Sequence, residues 1–234
     1  MFRVLLATLL AAVLSTPEAN CQQRRPRTSP PSFFVGGSLG YGVFSMDDVN
    51  NELSQLRSLG INIDLVERGP SLDLFVGMET QNGGSFCLGY ERLFASTSYS
   101  DYSGSIKYDL PANIYYVTAN IPLRIEPGMR QQIEFTAGRM VAAGKLSLSV
   151  SEYGSSTNIS GNIDGTGFML RGALSMILGS PREPMGFQLT CGYRLARISG
   201  IEILGQPIEG PGGDYALDYS GLYAQAGIIL RAPH

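Results

Sequence analysis

Phe33-Phe34-Val35-Gly36-Gly37-Ser38-Leu39-Gly40-Tyr41-Gly42-Val43-Phe44 alternates with a period of two. Phe33, Val35, Leu39, Tyr41 and Val43 fall on one parity, with Gly37 among them; Phe34, Gly36, Ser38, Gly40 and Gly42 fall on the other. Successive side chains of an extended chain point to opposite faces. The stretch therefore reads as a strand with one bulky apolar face and one small face. A nucleotide-binding glycine loop is the competing reading of Gly36 to Gly42, but no helix follows where one is needed.

The same alternation returns over residues 71–80, 84–95, 113–125, 131–142, 166–178, 186–197 and 218–230. In the segment 186–197, Phe187, Leu189, Cys191, Tyr193 and Leu195 stand against Gly186, Gln188, Thr190, Gly192 and Arg194. These candidate strands are long. A tilted membrane strand takes roughly 9–11 residues, whereas strands of soluble proteins are commonly about 5–6.

The connections alternate in length. Residues 80–84, 126–130 and 179–185 are short and carry turn chemistry in Asn82-Gly83-Gly84, Pro127-Gly128 and Ser180-Pro181. Residues 45–70, 96–112, 143–165 and 198–217 are long. All short connections then lie at one end and all long ones at the other, as in an even-stranded up-and-down barrel with short inner turns and long outer loops. Within 45–70, Asp47 and Asp48 favour a helix start, Gly60 a stop, and Val49, Leu53 and Leu56 share one helical face. That predicts a loop helix lying on the rim.

Residues 1–21 read as a secretory signal peptide: Met1-Phe2-Arg3, an apolar stretch from Val4 to Leu14, then Ser15-Thr16-Pro17-Glu18-Ala19. Cys21 raises the question of lipidation, but Glu18-Ala19-Asn20 does not fit the small apolar residues that such processing prefers. Residues 22–32 are rich in Pro and Arg and predict a disordered leader. The barrel domain is expected over 33–234.

Composition agrees with a chain that shows little polar surface to water. Charged residues make up 16% of the 234, against roughly 25% in soluble domains. Lysine occurs only at Lys107 and Lys145. The net charge of −3 gives no bias towards nucleic acid. Cys87 and Cys191 fall on opposite faces of their strands, which argues against a disulfide between them.

With signal peptide, eight strands, loop asymmetry and Ile121-Pro122-Leu123 before a short turn, residues 33–230 resemble the bacterial outer-membrane β-barrel superfamily, the small OmpA- and OmpX-like barrels in particular. The resemblance implies an eight-stranded antiparallel transmembrane barrel in the bacterial outer membrane. It implies a non-enzymatic, structural or interaction role, with outer-membrane lipid around the barrel and extracellular partners at the long loops. A monomer is expected. The chain departs from the family in its last strand, where Ile228-Ile229-Leu230 runs into Arg231-Ala232-Pro233-His234 with no terminal aromatic.

Alternation alone does not say which face is inside. A secreted lipocalin-like barrel carrying an apolar ligand has eight strands with the opposite orientation. The membrane orientation is preferred because the polar face is rich in Gly, Ser and Thr and carries both signs of charge. Glu79, Glu91, Arg124, Glu134, Arg171 and Arg194 are expected to form an ion-pair network in the lumen, since buried charges must be paired. Such a lumen is filled by side chains, leaving at most a narrow channel. Arg139 falls among apolar positions. Either it snorkels to the outer interface or a bulge at Gly138 shifts the register.

Catalytic chemistry finds no support. The one histidine is His234, the last residue, so a histidine-activated serine or cysteine has no base. No catalytic site, cofactor or metal site is expected; Asp101, Asp109, Glu202, Glu209 and Asp214 lie in outer loops without the spacing of a calcium site.

Overall fold

A computed structural model describes residues 32–80, 83–101, 104–152, 155–180, 183–210 and 213–232. The signal peptide and all of the leader except Ser32 lie outside the described residues. The elements in chain order are β1 (Ser32–Val43), α1 (Asp47–Ser58), β2 (Arg68–Glu79), β3 (Ser85–Leu93), β4 (Ser96–Ser100), β5 (Gly104–Asp109), β6 (Ala112–Glu126), β7 (Met129–Glu152), β8 (Ser155–Leu178), β9 (Met185–Ile203), the short β10 (Gln206–Pro207), β11 (Glu209–Gly210), β12 (Gly213–Asp214) and β13 (Ala216–Asp218), and β14 (Gly221–Arg231).

Eight of these strands close on themselves. The antiparallel ladder runs β1, β2, β3, β6, β7, β8, β9, β14 and back to β1. Following partners from Ser32 gives Glu79, Ser85, Asn120, Glu134, Ala173, Gly192, Tyr223 and then Gly42, ten residues along β1 from the start. With eight strands that stagger corresponds to a tilt of about 40° and a climb of roughly 3 Å at each crossing.

Apolar side chains face outwards. Leu39, Phe168, Leu88, Leu222, Leu174 and Phe187 are exposed, between 52% and 68%. Side chains of the opposite parity, such as Ser38, Glu91, Thr118, Thr136, Arg171 and Arg194, are buried. This is the inverse of a soluble carrier, whose lumen is apolar, and it overturns the lipocalin-like alternative. Among the described residues no helix is long and apolar enough to cross a membrane. Cys87 is buried and Cys191 exposed, both as free thiols.

The structure corrects the long connections. Residues 143–152 and 155–165 are not loop: β7 and β8 stay paired from Ala143↔Asp164 to Glu152↔Ser155. Leu146, Leu148, Ile159 and Ile163 keep the period of two there, but serines, glycines and asparagines between them resemble loop composition. Within 96–112, β4 pairs with β5, and β5 lies along this extension of β7. β9 likewise runs on to Ile203, and β13 pairs with it. The short turn at Pro127-Gly128 agrees with expectation: it joins β6 to β7 with Gly128 at φ 83°, a conformation glycine adopts without a side-chain clash, while Asn82 and Pro181 of the other two turns lie outside the described residues.

Candidate functional site

The helix α1 forms where expected, but not as a piece of the rim. Its start, Met46, has no side-chain cap and sits in the left-handed region, with Asp47 and Asp48 in the first turn. Val49 and Leu53 are buried against Phe44, Met46, Ile63, Leu93, Ile114, Met140, Met169, Ile198 and Tyr219. This apolar layer fills the long-connection end of the barrel. Polar atoms hold it down. Asn50 bonds residue 66 on both sides, donating to the Val66 carbonyl (3.1 Å) and accepting from its N–H (2.8 Å). The Ala216 N–H donates to Asp48 (3.0 Å), Tyr215 donates to Glu52 (3.1 Å), and Tyr219 donates to the Leu110 carbonyl (2.7 Å). The Met46 N–H reaches the Asp218 carbonyl at 2.9 Å.

Beneath this layer lies charge. Glu91, on β3, receives Arg171 on one oxygen (3.1 Å) and Arg194 on the other (3.0 Å), with Gln225 donating at 3.1 Å. Arg171 also faces Asp73 at 3.8 Å and donates to Thr136 at 3.3 Å. Tyr116 donates to the other Asp73 oxygen at 2.5 Å. The arginines stack on rings: Arg171 on Tyr116 and Tyr223, Arg194 on Tyr223 and Phe44. Gly89 makes this possible, since a side chain there would occupy the space of the Tyr116 ring. Guanidinium planes sandwiched between aromatics and carboxylates combine charge-assisted hydrogen bonds with cation–π attraction.

Nearer the short-turn end the polar layer changes character. Glu134 accepts from Gln188 (2.9 Å) and Gln132 (3.3 Å), not from an arginine. Gln188 also reaches Ser175 and Thr190, both at 3.1 Å. Glu79 pairs with Arg130. The remaining space among Asp73, Glu134, Arg171 and Gln188 is a cavity of about 30 Å³, room for little more than a water or two.

Of the six residues expected in one network, the structure brings Glu91, Arg171 and Arg194 into direct contact. It places Glu134 one layer away among amides and Glu79 in a separate pair. Arg124 is a correction. It lies outside the lumen, 65% exposed, paired with Glu126. The ladder shifts between Pro122 and Arg124, and one extra residue turns every later side chain to the opposite face. Asp73, Arg130, Tyr116, Gln188 and Gln225 were not among the expected residues. Arg130 was recoverable, because it continues the parity of Gln132 and Glu134 backwards by one step. Tyr116 and Tyr223 share the inward parity of Thr118 and Gln225, but nothing in the sequence marked them as ring partners of arginines, since aromatic residues fit either face of a strand.

Arg139 stays on the outer face. The register on both sides of Gly138 is unbroken, so no bulge moves it. It is exposed beside Tyr115 on β6 and Phe168 on β8. Among the described residues no group of three acidic, histidine or cysteine side chains could hold a metal ion, the outer-loop acids included.

No family model matches the sequence, and no curated protein matches it either. Two solved structures are similar. Neisserial surface protein A, NspA, is 15% identical, covering 85% of this chain and 96% of its own, with a TM-score of 0.42. Ail, the attachment invasion locus protein of Yersinia pestis, solved with the heparin analogue sucrose octasulfate, is 14% identical, covering 86% of this chain and 99% of its own, with a TM-score of 0.42. By its own ladder this chain is a closed, eight-stranded antiparallel barrel, apolar outside, with a charged layer and an apolar layer inside.

Proposed function

We propose that this chain is a non-enzymatic, integral barrel of the bacterial outer membrane whose lumen is closed and whose work is done at the surface by its long connections. The observation that carries the reading is the double closure of the lumen. An ion-paired layer centred on Glu91 lies under an apolar layer sealed by α1. A solute would have to displace both, breaking buried charge pairs and exposing a packed core. Neither layer presents an activated nucleophile or an acid–base pair open to solvent, so no reaction is ascribed to it. The projecting hairpins 96–112 and 143–165, with 45–70 and 198–217, offer the contact surface for an extracellular partner.

Planar-bilayer recording on the mature, detergent-folded chain tests the closure. The expected record is flat, without the stable steps of an open pore. Sustained conductance of porin size would overturn it. Heat-modifiable gel migration on the same sample tests the membrane reading. A monodisperse β-protein that needs no detergent would remove it.

A further inference from the structure

Four arginines point away from the barrel at its long-connection end: Arg68 on β2, Arg92 on β3, Arg139 on β7 and Arg197 on β9. Arg68, Arg139 and Arg197 are exposed and Arg92 is half-buried. Their heights follow from the ladder. At roughly 3 Å of climb per crossing, Arg92 and Arg139 stand about 25 Å above Ser32, and Arg68 and Arg197 about 31 Å. The apolar belt of such a barrel is about 25 Å tall. The arginines therefore ring the upper border of the belt, over its last apolar and aromatic side chains.

None of the four forms an ion pair among the described residues. Arg92 lies against Phe94, 5.3 Å from the ring centre, and its Nε is buried without a hydrogen-bond partner. Asp218 stands opposite Arg197 in the ladder, but its carboxylate accepts from the Ser220 N–H at 2.9 Å. Glu67, next to Arg68, is exposed and also unpaired with it. The other rim differs: Arg124, the exposed arginine described there, is neutralised by Glu126, while Arg130 and Arg231 are buried.

Arg139, Phe168 and Arg197 form the densest part. They are direct ladder neighbours on three consecutive strands, so two guanidinium groups flank one ring on the outer face. A guanidinium presents a rigid fork of donors that fits phosphate, and it is weakly hydrated enough to work at a lipid interface. The ring between them packs on acyl chain or sugar at the same depth.

We propose that this arginine arc binds the phosphate-bearing glycolipid of the outer leaflet, with Arg139 and Arg197 bracketing one headgroup over Phe168. The charge is positive, unpaired and confined to one border of the belt, which is the arrangement that an anionic headgroup complements. The inference rests on the proposed outer-membrane setting; it stands on the outer face and does not depend on what the loops bind.

The test measures the temperature at which the folded gel band converts to the unfolded one, for the full mature chain in neutral detergent. Diphosphoryl lipid A, its dephosphorylated form and inorganic phosphate are titrated in separately. The expected result is a rise of several degrees with diphosphoryl lipid A alone, reduced by 0.5 M salt. R139Q/R197Q should lose most of the rise, and R124Q should keep it. An equal rise with dephosphorylated lipid, or a salt-independent one, would overturn the proposal. A response to inorganic phosphate alone would reassign the arc to free anions. Should R139Q/R197Q fail to fold, R68Q/R92Q and the salt dependence of the unmodified chain decide it.

Discussion

The two halves of the interior are closed by opposite means. At the level of Glu91 the lumen is filled by charge, with Arg171 and Arg194 sharing one carboxylate and stacking on Tyr116 and Tyr223. A few residues higher it is filled by Leu53, Ile63, Ile114, Met140, Met169 and Ile198, as in an ordinary soluble core. The difference follows from what surrounds each level. Around Glu91 the outer face must be apolar, so the strand pattern leaves the polar residues for the inside. In the proposed membrane setting the strands above the belt stand free of lipid, and apolar residues regain their usual preference for the interior. The halves should therefore fail differently: the lower one by leaving a buried charge alone, the upper one by opening a cavity.

Breaking the charged half should have the larger effect. Glu91→Gln keeps the shape and leaves two buried arginines facing a neutral group. Loss of one partner of a buried pair typically costs about 3–5 kcal/mol. Urea unfolding of the detergent-folded barrel measures it, and a change under 1 kcal/mol would mean that Asp73 and Gln225 suffice. Leu53→Ala attacks the upper half. A cavity at a fully buried leucine typically costs about 2–5 kcal/mol, at the low end here because α1 can settle. The loss should appear as faster hydrogen exchange and proteolysis within residues 46–66, with the strands of the lower half still protected. Equal exchange in both halves would contradict their separation.

The same contrast explains what was legible. Strand number, parity and the short turns are local properties, written in the period of two and in Pro127-Gly128. The extension of β7 and β8 was obscured because, above the lipid, the alternation weakens: Ser147, Ser149 and Asn158 replace the bulky outer residues that made the lower strands conspicuous. The helix was legible from its spacing, but its place was not. Whether Val49 and Leu53 face a partner or their own barrel is decided by Phe44, Met140 and Ile198, all distant in sequence except the first. In the lumen, Glu79, Glu91, Glu134, Arg171 and Arg194 were legible as inward charges; Asp73 and Arg130 were not named, and the pairings were not legible, because stagger brings β3, β8 and β9 together at Glu91. The bulge after Pro122 was invisible, and it alone removed Arg124.

The upper half carries a smaller, pH-dependent cost. Glu52, on α1, has its carboxyl held above the ordinary carboxylate value, chiefly because burial penalises the charged form; the Tyr215 hydrogen bond opposes this and Asp48 adds to it. A raised carboxyl binds its proton more tightly folded than unfolded. Stability of this layer is then greatest below the unfolded value and falls as pH rises through the folded one. Glu52→Gln, which still accepts from Tyr215, should flatten that fall. Hydrogen exchange of residues 46–60 between pH 4 and 7 reads it. A slope unchanged by the substitution would move the effect elsewhere.

The smallest expected effect is the most direct test of the bulge. Had Arg124 kept the parity of its strand, it would be buried, and Arg124→Gln would strand a carboxylate at a cost comparable to that at Glu91. The shift after Pro122 instead places it outside, paired with Glu126 at an exposed rim. Exposed pairs contribute roughly 0–1 kcal/mol and are screened by salt. Arg124→Gln should therefore change urea stability by less than about 0.5 kcal/mol. Deleting Leu123 should be similarly mild, because it takes out the extra residue while Arg124 still stands opposite Gln131 on the outer face. Were R124Q to cost as much as E91Q, the bulge would be absent and Arg124 would lie in the lumen with a buried partner.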